Sequence, residues 1–144
     1  MKIKKVVVIG SGTMGSGIAA HLCNANIPVT LLDLKTEISE KARDKIHKSR
    51  PPLLLDKSKI TNIEVGNISD NFDVVKDADW VVEAVVERID IKHNIYQKIF
   101  KVRKKGAIVS SNTSSIPIKV LSQNLTEEEK KDFCITHFFN PVRY

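Results

Sequence analysis

The chain has little cysteine. Cys23 and Cys134 are its only two, too few for a disulfide framework and without metal-ligand spacing, so no metal site is expected. Its apolar runs all fall well short of the roughly 20 residues a helix needs to cross a bilayer, which excludes a helical membrane span. Aromatics are sparse (one Trp, two Tyr, five Phe) and do not interleave with the basic clusters. Without that pattern, and without a recognition helix, no nucleic-acid surface is expected. The first apolar strand begins almost at the N-terminus, leaving no room for a secretory or transit signal, so the expected compartment is cytoplasmic.

What is present is an ordinary globular composition. Of 144 residues, 42% are hydrophobic and 28% charged, with a net charge of +6. That length predicts one domain, residues 1–144, burying about two-thirds of the surface exposed by its unfolded chain. The positive charge gathers at Lys41, Arg43, Lys45, Lys48 and Arg50, and again at Lys101, Arg103, Lys104 and Lys105. Such clusters serve as solvated helix faces and C-terminal dipole partners. The first also suits an anionic ligand such as the phosphates of coenzyme A.

Residues 3–33 carry the strongest signal. An apolar run, Val6 to Ile9, meets Gly10-Ser11-Gly12-Thr13-Met14-Gly15. Met14, Ile18, Leu22 and Ala25 then recur at helical spacing, and Pro28 to Leu32 forms a second apolar run closing on Asp33. This is a G-x-G-x-x-G turn between strand and helix, with an acid at the tip of the next strand. Gly10 permits a turn that a Cβ would obstruct. Gly12 leaves backbone bare for a pyrophosphate, and Gly15, with Gly17 and Ala19, lets the helix approach the sheet. The N–H groups and positive dipole of the helix N-terminus complete an anion site. Asp33 is placed to accept both hydroxyls of an adenosine ribose and to repel a 2′-phosphate, which favours NAD over NADP.

Further along, Ile38, Ala42 and Ile46 stripe a charged helix that Pro51-Pro52 ends. Leu53 to Leu55 reads as a short turn or helix, and Ile60 to Val65 as a strand. Trp80 to Glu87 reads as a buried strand, followed by a helix with Ile91, Ile95, Ile99 and Val102 on one face. Gly106 stops it before a strand at 107–109, which empties into Ser110 to Ser115. Ser115 is placed to cap a helix with Pro117 just inside it, and Thr126 with Glu129 predicts a capping box. Phe133 to Thr136 is the last strand and delivers His137-Phe138-Phe139-Asn140-Pro141.

The alternation predicts an α/β fold, a doubly wound and mostly parallel Rossmann-like sheet whose ligands lie beyond the carboxyl ends of the strands. Gly12, Asp33, Glu87, Asn112, Ser114 and His137 all fall at such ends. A nicotinamide enzyme acting on an alcohol needs a base of near-neutral pKa there, which suits His137. Phe138 and Phe139 can wall off water, and Asn140 can fix a carbonyl or carboxamide. An ordinary strand-end histidine bonded to backbone accounts for the same spacing. His21, His47 and His93 read as solvated or capping, Trp80 and Phe100 as core or groove wall, and Glu83 as structural. Lys92 reads as surface charge.

Four segments resemble the L-3-hydroxyacyl-CoA dehydrogenase family: Gly10 to Ala19, Val81 to Glu87, Ser111 to Ser115, and His137 to Val142. The similarity runs in order along nearly the whole chain and is greatest to the NAD-binding part of multifunctional fatty-acid oxidation enzymes and of 3-hydroxybutyryl-CoA dehydrogenases. It implies NAD as cofactor and an acyl-CoA substrate, with His137 as the catalytic base and Ser114 meeting the substrate oxygen and the nicotinamide side. It further implies Asn140 near the nicotinamide, Asp33 at the adenosine ribose, and Met14 in a loop, Gly10, Gly12, Thr13, Met14 and Gly15, that approaches the pyrophosphate. Val86, Glu87 and Lys92 are implied at the second half of the cofactor, and Asn112 either in shaping the Ser114 loop or in contact with substrate.

In that family a glutamate orients the histidine and a helical domain forms much of the acyl-CoA site and the homo-oligomer interface. Both positions fall past Tyr144, so the expectation is a chain that binds NAD but turns over acyl-CoA poorly. Two other readings stand beside it. One is a non-catalytic dinucleotide-binding module, and the other is a related dehydrogenase of a non-CoA hydroxy acid.

Overall fold

Strand β1, Val6–Ile9, has four apolar side chains with no solvent exposure, and everything else is layered on it. Burying each such side chain contributes about 1.5–3 kcal/mol. Alternation splits them between two cores: Val6 and Val8 face one layer, Val7 and Ile9 the other. The computed structural model describes all 144 residues. Helix α1, Thr13–Asn24, and helix α2, Thr36–Lys48, cover the first face, and helix α3, Ile89–Val102, covers the second.

The other strands are β2 (Val29–Asp33), β3 (Ile63–Asn67), β4 (Trp80–Glu83), β5 (Ile108–Ser111) and β6 (Phe133–Ile135). Their order is β3-β2-β1-β4-β5-β6, and all five pairings are parallel. The doubly wound Rossmann-like architecture is therefore the observed one, with the sheet entirely rather than mostly parallel. The chain reverses its direction of growth between β1 and β4, the switch point where such sheets open a crevice. Leu32, Ile9, Glu83, Ser111 and Ile135 form one row across five strands, so Asp33, Gly10, Ala84 and Asn112 emerge side by side at the rim.

Several local expectations are corrected. β4 stops at Glu83, not Glu87. Ala84 N–H still bonds Ile9 O at 2.8 Å, but Val85 N–H is taken by the Glu83 carboxylate at 3.0 Å, which draws the chain off the sheet. β3 begins at Ile63 because Lys57–Asn62 forms a 3-10 helix, capped by Asp56 accepting from Ser58 N–H. Leu53 to Leu55 is irregular, with Leu54 alone buried. The helix after the serine run is α4, Ile118–Leu121, and its N-cap is Pro117 rather than Ser115. Thr126 and Glu129 do make the expected capping box, at the start of α5, Glu127–Lys130. No helix is long and apolar enough to cross a membrane.

Candidate functional site

The rim crevice has two lobes. Gly10, at φ +102°, lies against the carbonyl of Ala84, and a Cβ there would come within 2.4 Å of that oxygen. Only glycine adopts this backbone without strain. Gly15 lets α1 seat on the turn, since a Cβ on it would sit 1.8 Å from Gly10 O. Gly17 was expected to serve the same packing, but it faces Val142 in the final segment instead. A Cβ on Gly12 would meet nothing within 4 Å, because the space in front of it is the crevice.

The first lobe holds Asp33 and the apolar side chains of Leu34, Ile38, Ile68, Val86 and Ile91, with Gly10 to Gly12 at its mouth. Asp33 is anchored before any ligand arrives. Its Oδ2 accepts from Ser11 N–H at 2.8 Å and from Ser11 Oγ at 2.5 Å, while Oδ1 accepts from Leu34 N–H at 2.7 Å. Ser11 was missed by sequence reading, because the x positions of a glycine motif carry no side-chain requirement.

The second lobe, about 460 Å³, is lined by Gly12, Thr13 and Met14 on one side and by Glu83, Val86, Glu87, Asn112, Ser114, His137, Phe138, Phe139 and Asn140 on the others. The lobes share Gly12, Ala84, Val85 and Val86, so one crevice passes in front of the glycine turn. The glycine loop and the histidine-bearing strand end thus face a common cavity.

His137 is held by Asn112. Its Nδ1 lies 3.1 Å from the Asn112 backbone oxygen, while Asn112 Oδ1 accepts from Phe138 N–H at 2.9 Å. A carbonyl only accepts, so Nδ1 carries the proton and Nε2 presents a lone pair. Asn112 therefore braces the His137 segment. Phe139, 78% exposed, stands edge-on to the imidazole at 5.0 Å between centroids. Ser114 and Asn140 are exposed and free to meet a ligand.

Beneath the cavity lies a buried charge network. Lys92, read from its spacing as surface charge, has a side chain only 1% exposed. Its Nζ sits 2.6 Å from Glu83 Oε2 and 2.9 Å from Glu87 Oε1. Lys92 lies in the first turn of α3, where a cation opposes the helix dipole, and the two carboxylates offset that. Glu83 is the hub: its other oxygen accepts from Ser111 Oγ at 2.7 Å and from the Tyr96 hydroxyl. Burial, reinforced by the Glu83 charge, pushes the Tyr96 phenol far above its ordinary range. Glu87 is half exposed. Burial would raise its pKa, but hydrogen bonds from Thr113 Oγ1 at 2.6 Å, Lys92, and Ser115 Oγ at 3.2 Å outweigh that and lower it. Glu83 was read as structural because a strand-end glutamate gives no sign of what lies opposite it.

The remaining histidines are peripheral. His93 does more than begin a helix: Nε2 lies 2.8 Å from Val120 O and Nδ1 3.2 Å from Asn124 Nδ2, tying α3 to α4. No group of three metal-ligating side chains occurs.

Residues 5–144 match the family model described as 3-hydroxyacyl-CoA dehydrogenase, NAD binding domain. The chain belongs to this family. Its cofactor is accordingly NAD, and the resemblance carried by the four sequence segments holds over the whole chain. Among relatives, a putative fatty acid oxidation complex trifunctional enzyme of Rickettsia felis is 45% identical, over 99% of this chain and 21% of its own length. A probable 3-hydroxyacyl-CoA dehydrogenase of Deinococcus radiodurans is 44% identical, over 100% of this chain and 44% of its own length. Among solved structures, 3-hydroxybutyryl-CoA dehydrogenase from Escherichia coli superposes with a TM-score of 0.85 at 27% identity, covering 99% of this chain and 31% of that one. The chain thus spans less than half the length of these 3-hydroxyacyl-CoA dehydrogenase relatives. The residues present fit a dinucleotide: an open backbone cradle at Gly12, an anchored carboxylate at Asp33, and a second lobe lined by His137.

Proposed function

We propose that residues 1–144 are the NAD-binding unit of an L-3-hydroxyacyl-CoA dehydrogenase that oxidises a (S)-3-hydroxyacyl-CoA to the 3-oxoacyl-CoA. The observation that carries this reading is the single crevice joining Asp33, Gly12 and His137. In it, Asp33 holds the adenosine ribose, the backbone at Gly10 to Gly15 receives the pyrophosphate, and Val86, Glu87 and Asn140 line the cofactor's second half. Lys92 reaches that half only through Glu87. Bound NAD supplies the hydride acceptor for C3 of the substrate.

His137 Nε2 takes the proton of the 3-hydroxyl as the hydride leaves C3, and Ser114 Oγ holds the substrate oxygen in line with that nitrogen. Asn112 keeps the required tautomer. A backbone carbonyl gives the imidazolium no full negative charge, so residues 1–144 alone hold the cofactor and oxidise slowly. In the whole protein the acyl-CoA site and homo-oligomerisation through the family's helical domain complete the activity, in the cytoplasm.

Two measurements test this. Fluorescence titration of residues 1–144 with NADH should show saturable binding that Asp33→Ala weakens strongly. The full-length protein should reduce acetoacetyl-CoA with NADH, and His137→Ala should abolish turnover while binding persists. NADH binding without acetoacetyl-CoA turnover at full length would favour a non-catalytic module. Turnover of non-CoA hydroxy acids alone would move the substrate class.

A further inference from the structure

The second lobe carries an unbalanced charge. Two carboxylates, Glu83 and Glu87, face a single ammonium, Lys92, which leaves one negative charge in excess at its floor. Lys92 Nζ lies nearer Glu83, the fully buried partner, so the excess falls on Glu87, whose side chain is 43% exposed. Thr113 and Ser115 donate to the same Glu87 oxygen and hold it in its ionised form. The other titratable side chain lining this cavity is His137.

We propose that Glu87, with Lys92 and Glu83 behind it, makes this lobe select the oxidised over the reduced cofactor. The inference rests on the reading above, in which the nicotinamide enters this lobe. An oxidised nicotinamide ring is cationic and a reduced one is neutral, while the two cofactors are otherwise alike. A fixed negative charge beside the ring therefore acts on one redox state only, and its effect is a ratio of affinities, not an affinity. Lys92 sets the size of the effect by neutralising Glu83, which would otherwise double the excess. Thr113 and Ser115 fix the position of the charge by donating to one Glu87 oxygen. By the same thermodynamic cycle the bound ring becomes a weaker hydride acceptor, while the reduced cofactor is released more easily.

Calorimetric titration of residues 1–144 with NAD+ and with NADH, in parallel, tests this. Glu87→Gln should lower the ratio of NAD+ affinity to NADH affinity about three- to tenfold, the scale of one partly screened charge several ångströms away. Glu87→Asp keeps the charge and should keep the wild-type ratio even where both affinities fall. Ser115→Ala, which removes a hydrogen bond from Glu87 without removing charge, should likewise leave the ratio in place. Raising the salt concentration should shrink the difference between wild type and Glu87→Gln. An unchanged ratio in Glu87→Gln, or an equal fall in Glu87→Asp, overturns the proposal while leaving the NAD-binding reading intact. If neither cofactor binds the wild-type chain, that reading falls and this inference with it.

Discussion

The two lobes of the crevice are built from different materials. The lobe around Asp33 is made by backbone and by missing side chains: a positive-φ glycine, a Gly–backbone contact, and an acid anchored to its own loop by Ser11. Its parts lie within residues 10–34 apart from the apolar wall. The lobe around His137 is made by side chains, Glu83, Glu87, Lys92, Tyr96, Ser111 and Thr113, brought from β4, β5, α3 and the loops after them. A backbone-built site resists most substitutions and fails at particular glycines. A charge-built site fails when any one partner is removed, because the others are left buried and unpaired.

The largest expected effect tests the charged lobe. Lys92→Met leaves Glu83 without its counterion and should lower unfolding stability by about 3–5 kcal/mol, read from urea midpoints at constant m. Adding Glu83→Gln should recover part of that loss, and a loss below about 1 kcal/mol in the single variant would erase the contrast between the lobes.

The glycine lobe comes next. Gly15→Ala drives a Cβ into Gly10 O and should cost about 3 kcal/mol. Gly12→Ala meets only open space and should change stability by less than about 0.5 kcal/mol. It should nevertheless weaken NADH binding about tenfold or 1.4 kcal/mol, since the new methyl occupies the cradle. Equal stability losses at the two positions would mean that the cradle is not open.

Tyr96→Phe is a smaller probe of the charged lobe. It deletes one donor to Glu83 while Lys92 and Ser111 remain, and should cost about 1–3 kcal/mol.

The smallest effect lies at the amino ends of β1 and β4, the sheet edge opposite the crevice. Asp79 accepts from Lys4 N–H and Lys5 N–H at the start of β1 and from Lys104 Nζ at 2.5 Å. The Lys104 and backbone hydrogen bonds hold its pKa at about 2, below the ordinary 3.8. A depressed carboxylate stabilises the fold above the unfolded value, and that contribution fades as pH falls from about 4 toward 2. Asp79→Asn should therefore flatten the acid limb of a stability–pH curve in that window. It should leave the NADH titration of either lobe unchanged.

How far each lobe was legible in the chain follows from the same contrast. Gly10 to Asp33 is contiguous, and its requirements are requirements on residue type, so strand, turn, helix and acid were all readable in place. Lys92 was not. Its spacing on an amphipathic helix describes a solvent-facing lysine, and only the packing of α3 against the end of β4 and the loop after it shows two carboxylates waiting for it. Glu83 is structural, as its place on the strand suggests, but its partners are illegible for the same reason, and β4 ends early because the carboxylate that ends it belongs to the strand itself. The bracing of the His137 segment by Asn112 was not legible either, since its partners at His137 and Phe138 lie 25 and 26 residues away.

By itself the amino-acid sequence determined the α/β architecture, the glycine turn between strand and helix, and the family, because periodicity, glycine placement and motif order are local properties of the chain. Only the tertiary structure decided which charges neutralise one another beneath the cavity and which nitrogen of His137 is free. Those depend on distances of about 3 Å between residues far apart in sequence, and such distances exist only once the sheet has brought its strand ends to a common rim.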